Sequence, residues 1–128
     1  LIYLDTSVAL AHLLAEQKTP PDALWEEHLV SSRLLQYEIW TRIHSLGVAD
    51  ALDGPIRALL AKVSLIELSP PVLERALDPF PTSLRTLDAL HLASVDFLQR
   101  RGLSVALATY DGRLLEAARR LEIEIYSL

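Results

Sequence analysis

The chain contains no cysteine, which excludes disulfides, thiolate zinc sites and cysteine nucleophiles. A chain without disulfides fits a reducing compartment, so a cytoplasmic location is the expectation. No apolar run is long enough to span a bilayer. The opening Leu1-Ile2-Tyr3-Leu4 meets Asp5 at once and lacks the basic region of a signal peptide. Because Met does not stand first, a few leading residues are expected to be missing or trimmed. There is no Gly-rich loop ending in Gly-Lys-Ser/Thr, which removes a P-loop nucleotide hydrolase. Internal repeats, low-complexity segments and linkers are also absent. Positive charge is scarce: 12 Lys and Arg stand against 17 Asp and Glu, a net charge of −5. That balance argues against a general, high-affinity coat on nucleic acid. It leaves room for an enzyme that grips a phosphodiester through metal ions while a few arginines steer the strand.

What is present is a globular composition, 51% hydrophobic and 23% charged, in 128 residues that suit one domain over 1–128. Ile2-Tyr3-Leu4 predicts a short strand, and Thr6 or Ser7 then caps a helix with Val8, Leu10, Ala11 and Leu14 apolar. Thr19-Pro20-Pro21-Asp22 breaks the chain before a short helix at Ala23 to His28, and Leu29-Val30-Ser31 fits a strand. Leu35, Ile39, Ile43 and Leu46 make one stripe of a helix that starts near Leu34 and stops at Gly47. Further elements are a helix from Pro55 to Val63, a strand at Leu65 to Leu68 and a helix opened by Pro70-Pro71. A long helix from Leu87 to Arg101 follows. Val105 to Thr109 is a continuous apolar run, the pattern of a central parallel strand buried on both faces. A last helix begins at Asp111 or Gly112, and Ile123 to Tyr126 closes the chain as an edge strand. Strands alternating with helices imply an α/β fold whose mostly parallel sheet is covered on both sides. Ligands of such sheets bind beyond the carboxyl ends of the strands, where strand order reverses.

Asp5 and Asp111 each follow a strand, while Glu38 and Asp88 fall on or near the start of apolar-faced helices. Each has an ordinary explanation. Asp5 suits a turn or cap, and Asp111 an N-cap. Glu38 has Arg42 four residues on, the spacing of a helical ion pair. Asp88 suits the first turn of a helix, with Arg85 close by. As a set they are harder to explain by stability, because crowded carboxylates raise one another's pKa and oppose burial. Such a gathering points to a hard cation, and a hard cation to phosphate chemistry. A phosphatase using Asp5 as nucleophile needs a second Asp two residues on, where this chain has Ser7.

The segments Leu4-Asp5-Thr6-Ser7, Ser32 to Glu38, Arg85-Thr86-Leu87-Asp88-Ala89-Leu90-His91-Leu92-Ala93 and Ala108-Thr109-Tyr110-Asp111-Gly112-Arg113-Leu114 occur in one order on one alternating scaffold. In this the chain resembles the PIN-domain ribonucleases, and more closely the VapC-type toxins of toxin–antitoxin pairs, over essentially its whole length. The resemblance implies a three-layer α/β/α fold with a sheet of four to five strands. It implies a catalytic set of Asp5, Glu38, Asp88 and Asp111, with Asp5, Asp88 and Asp111 as metal ligands and Ser7, Thr109 and Arg85 in support. It also implies Mg2+ or Mn2+, an RNA substrate cut as an endoribonuclease, a cognate antitoxin and a homodimer. A non-cleaving PIN-like module that binds RNA or protein is the alternative. His91, three residues after Asp88, is expected to pack and hydrogen-bond among the helices, since these cations prefer oxygen. Trp25, Trp40 and Tyr37 are expected at a helical interface, and apolar residues between Ala23 and Leu46 to offer a groove for a partner helix.

Overall fold

Alternation within the two central strands divides the protein into two cores. In the computed structural model, which describes all 128 residues, β1 (Ile2–Leu4) sends Ile2 and Leu4 to one face and Tyr3 to the other. β4 (Ala106–Ala108) repeats the pattern, with Ala106 and Ala108 on the first face and Leu107 on the second. This two-residue period lets a strand buried on both sides serve two helical layers. The first core takes in α1 (Thr6–Leu13), α2 (Arg33–Leu46) and α3 (Ala49–Ala61). The second lies under α5 (Thr86–Arg100) and α6 (Gly112–Arg120), with Leu92, Val95, Leu107 and Leu114 all inaccessible to solvent. Each fully buried Leu or Val contributes roughly 1.5–3 kcal/mol over an exposed one.

The sheet has five strands in the order β3-β2-β1-β4-β5, every pair parallel, with β2 at Leu29–Ser32, β3 at Val63–Ile66 and β5 at Glu124–Ile125. The chain builds outward from β1 to β2 and β3, then returns to the other side of β1 with β4. The strand order therefore reverses between β1 and β4, which are direct neighbours in register Ile2↔Ala106 to Leu4↔Ala108. The three-layer architecture and parallel sheet expected from the sequence are present.

Several local expectations need correction. The segment after Pro21 forms a 3-10 turn at Asp22–Glu26 instead of an α-helix over 23–28. α3 starts at Ala49, six residues before Pro55. Pro55 supplies no N–H to the helix, but it and Ala51, whose carbonyl loses that donor, lie on the exposed side, where water replaces the bond. β3 sits two residues earlier than expected because it pairs with β2 from Leu29↔Val63 to Ser32↔Ile66. α4 (Pro70–Leu77) opens on proline as expected and packs along α5. Its Arg75 sits over the Phe80 ring at 4.3 Å and pairs with Asp96 of α5 at 3.2 Å.

Candidate active site

Asp5 is the N-cap of α1 by backbone position, yet its side chain caps nothing. Neither Thr6 nor Ser7 is the cap; both lie in the first turn. The Asp5 carboxylate, 4% exposed, instead accepts from Ser7 Oγ at 2.6 Å and Thr109 Oγ1 at 2.8 Å, both on Oδ2. Two hydroxyl donors satisfy one oxygen of a nearly buried carboxylate and fix its rotamer. Thr109 also accepts from the Asp111 backbone N–H at 2.9 Å, and Ser7 from that of Tyr110 at 3.0 Å. The loops after β1 and β4 are thus stitched together at the point where strand order reverses. Oδ1 of Asp5 has no hydrogen-bond donor.

Asp111 caps α6: its Oδ1 accepts from the N–H groups of Arg113 at 2.9 Å and Leu114 at 3.2 Å. The capping role uses Oδ1 alone and leaves Oδ2 without a protein donor. Asp88 lies in the first turn of α5 and makes no hydrogen bond with another side chain or backbone group. Burial, then the charges of Asp111, Asp5 and Glu38, push its pKa up to about 6, with His91 pulling the other way. Asp5, Glu38 and Asp111 therefore lie close enough to Asp88 for their charges to act on it.

Glu38 does not pair with Arg42. Its Oε1 receives Thr6 Oγ1–H at 2.8 Å and His91 Nε2 at 2.6 Å, and Oε2 is left without a donor. His91 is buried at 1% exposure, with Nδ1 2.8 Å from the Tyr3 hydroxyl and Nε2 3.8 Å from Asp5 Oδ1. Burial alone would lower its pKa. Tyr3, the Glu38 hydrogen bond and the carboxylates of Asp5 and Glu38 outweigh burial and push it up to about 10. The ring is therefore an imidazolium at neutral pH, donating at both nitrogens. It is packed and hydrogen-bonded as expected, but its partner is an acid of the crevice. Thr6 and Tyr3 were not singled out from the sequence, because what gives them a role is contact with residues 32 and 88 positions away.

Arg85 supplies the N-cap backbone of α5 and forms no ion pair with Asp88. Trp25 and Trp40 pack against the first core, whereas Tyr37 is 62% exposed. Tyr37 borders an open groove of about 390 Å3 with Leu10, Leu87 and Arg42, and Glu38 lies at its edge.

The donor set is all oxygen, as a hard cation requires. No three of the carboxylates and histidines close on one point as a ready-made cage. Each of the four acids nevertheless keeps at least one oxygen free of protein donors. Such an arrangement suits Mg2+, which retains several waters and takes only one or two carboxylates directly.

A parallel α/β domain with Asp5 and Asp111 at its switch point, and Asp88 within reach of both their charges, defines a class of fold with acids gathered at one sheet edge. A family model described as the PIN domain matches residues 2–120. The chain is 35% identical to Ribonuclease VapC46 of Mycobacterium tuberculosis strain H37Rv, covering 97% of this chain and 95% of that protein. Ribonuclease VapC47 of Mycobacterium tuberculosis strain CDC 1551 is 30% identical over 94% of this chain and 92% of its own length. Ribonuclease VapC35 of the same species is 28% identical over 98% and 95%. This chain belongs to the PIN-domain family.

Proposed function

We propose that this chain is an endoribonuclease toxin of VapC type, the toxic half of a toxin–antitoxin pair, that hydrolyses RNA phosphodiester bonds in the cytoplasm with Mg2+ or Mn2+. The observation that carries this reading is the acidic crevice itself, in a chain whose relatives along nearly its full length are named ribonucleases. A phosphodiester resists hydrolysis because its own charge repels nucleophiles and its alkoxide is a poor leaving group. A bound divalent cation would lower the pKa of a water and neutralise charge developing on the phosphate.

Asp5 and Asp88 are the residues we assign as direct ligands, with Asp111 holding the site through its free Oδ2. Ser7 and Thr109 keep Asp5 aimed through their hydrogen bonds to Oδ2. Glu38 presents Oε2 to the attacking water and accepts its hydrogen bond, while His91 and Thr6 hold Oε1 still. As the water's oxygen adds to phosphorus its proton passes to Glu38 Oε2, the bond to the leaving oxygen breaks, and that oxygen takes a proton from solvent. Asp88, with its raised pKa, must lose its proton before it can ligate a cation.

The same reading carries a homodimer and a cognate antitoxin. The groove bordered by Leu10, Tyr37 and Leu87 supports a protein partner, being apolar, open and adjacent to Glu38. No helix is long and apolar enough to cross a membrane. Incubating the purified protein with a mixed tRNA and rRNA pool tests the activity: cleavage should require Mg2+ or Mn2+ and stop with EDTA. A module that binds RNA and does not cut would retain it whether or not chelator is present.

A further inference from the structure

A cavity of about 750 Å3 adjoins the loops that carry Asp5 and Asp111. Thr109 and Tyr110 line it, and the same two residues are tied into the crevice through Asp5 and Ser7. Tyr126, which follows β5, brings a second phenol ring, and Lys18 and Arg119 bring two cations from different parts of the chain. None of the 11 lining residues has an acidic side chain, in a protein with a net charge of −5. Neither Lys18 nor Arg119 forms a salt bridge, so both charges are free to meet an anion. Two unpaired cations beside two half-buried aromatic rings form the pairing that single-stranded nucleic acid uses: charge for the backbone, ring faces for the bases.

The position also answers an electrostatic problem. Four carboxylates repel a polyanion, and a cation bound among them can neutralise only the phosphate it touches. Flanking phosphates need positive charge near the cut, and Lys18 and Arg119 of this cavity are two cations that can supply it. We propose that the cavity lined by Lys18, Tyr110, Arg119 and Tyr126 is a subsite for the RNA nucleotide adjoining the scissile phosphate. Lys18 and Arg119 hold its phosphate there, and a tyrosine ring carries its base. The assignment rests on the ribonuclease reading above and adds where the strand lies.

Binding of fluorescein-labelled oligouridine and oligoadenine to a non-cleaving Asp5→Asn protein, followed by anisotropy across a salt series, tests it. Lys18→Ala/Arg119→Ala changes two exposed side chains and should leave the fold intact. It should weaken binding about tenfold and reduce the salt dependence by the loss of two phosphate contacts, a change of about 1.4 in slope. Tyr126→Leu, which keeps apolar bulk, should weaken binding about tenfold without changing the slope. Unchanged affinity and slope in the double variant would overturn the subsite and leave the cavity to a protein partner. Failure of the ribonuclease reading is separate: it would appear as no metal-dependent cleavage by wild type.

Discussion

His91 Nε2 lies 2.6 Å from Glu38 Oε1, buried at the back of the acidic crevice and fixed from behind by the Tyr3 hydroxyl at 2.8 Å. A positive ring inside a cluster of acids reduces the repulsion that four carboxylates would otherwise feel. It also leaves Glu38 with one immobilised oxygen and one free. The contact therefore serves both stability and the site.

Replacing His91 with Leu should destabilise the fold by about 3 kcal/mol, since it leaves a largely buried carboxylate without its partner. The dependence on pH has a definite direction. The His91 pKa rises from 6.5 to about 10 on folding, so the stabilisation is complete below pH 6.5 and is lost as pH climbs towards 10. Urea denaturation should show wild-type stability falling across that window, and His91→Leu should flatten the fall. Parallel pH curves for the two proteins would remove the imidazolium from the account.

Asp88 behaves in the opposite sense for stability at neutral pH. Its pKa is raised from 3.8 to about 6 by burial and the neighbouring acids, so the ionised form opposes folding. In EDTA at pH 7.5, Asp88→Asn should stabilise the protein by on the order of 1 kcal/mol, a figure already reduced for solvent screening. Near pH 4 the gain should shrink towards zero. Thermal denaturation at the two pH values checks this, and an Asn variant no more stable than wild type at pH 7.5 would contradict it. Calorimetric titration should show Mg2+ affinity of the wild type weakening below pH 6, as Asp88 retains its proton.

Asp111 caps α6 through Oδ1 alone, so its capping role can be separated from the metal-holding role proposed for Oδ2. Asp111→Asn keeps an oxygen for the N–H groups of Arg113 and Leu114, so melting temperature should stay near wild type while cleavage falls at least tenfold. Asp111→Ala should lose cleavage and also about 1 kcal/mol of stability. Equal cleavage by Asn and wild type would reduce Asp111 to a helix cap.

Much of this was legible in the sequence, for physical reasons that particular residues make plain. The apolar run around Leu107 and the Ile2-Tyr3-Leu4 run announced strands buried on both faces, and residues just past them had to emerge at one edge. The stripe Leu35, Ile39, Ile43 and the stop at Gly47, whose φ is +69°, marked α2. Boundaries failed where a local rule met a tertiary demand. Proline suggested a helix start at Pro55, but the chain helixes from Ala49 because the missing bond falls on the wet side. β3 was set by its register with β2, which no local pattern encodes. The Glu38–Arg42 spacing was a true helical neighbourhood, but a buried imidazolium 53 residues away offered the stronger partner. Three-dimensional contacts of this kind, Tyr3 and Thr6 included, leave no trace in spacing.

The central claim is that the acids of this crevice make the protein a metal-dependent ribonuclease. Its most direct measurement sets wild type beside Asp5→Asn/Asp88→Asn, purified identically, on a mixed tRNA and rRNA pool with Mg2+ or Mn2+, with circular dichroism confirming that both are folded. Discrete cleavage by wild type, abolished by EDTA and absent from the variant, is the predicted result. Cleavage of equal rate and pattern by the folded variant would contradict the claim.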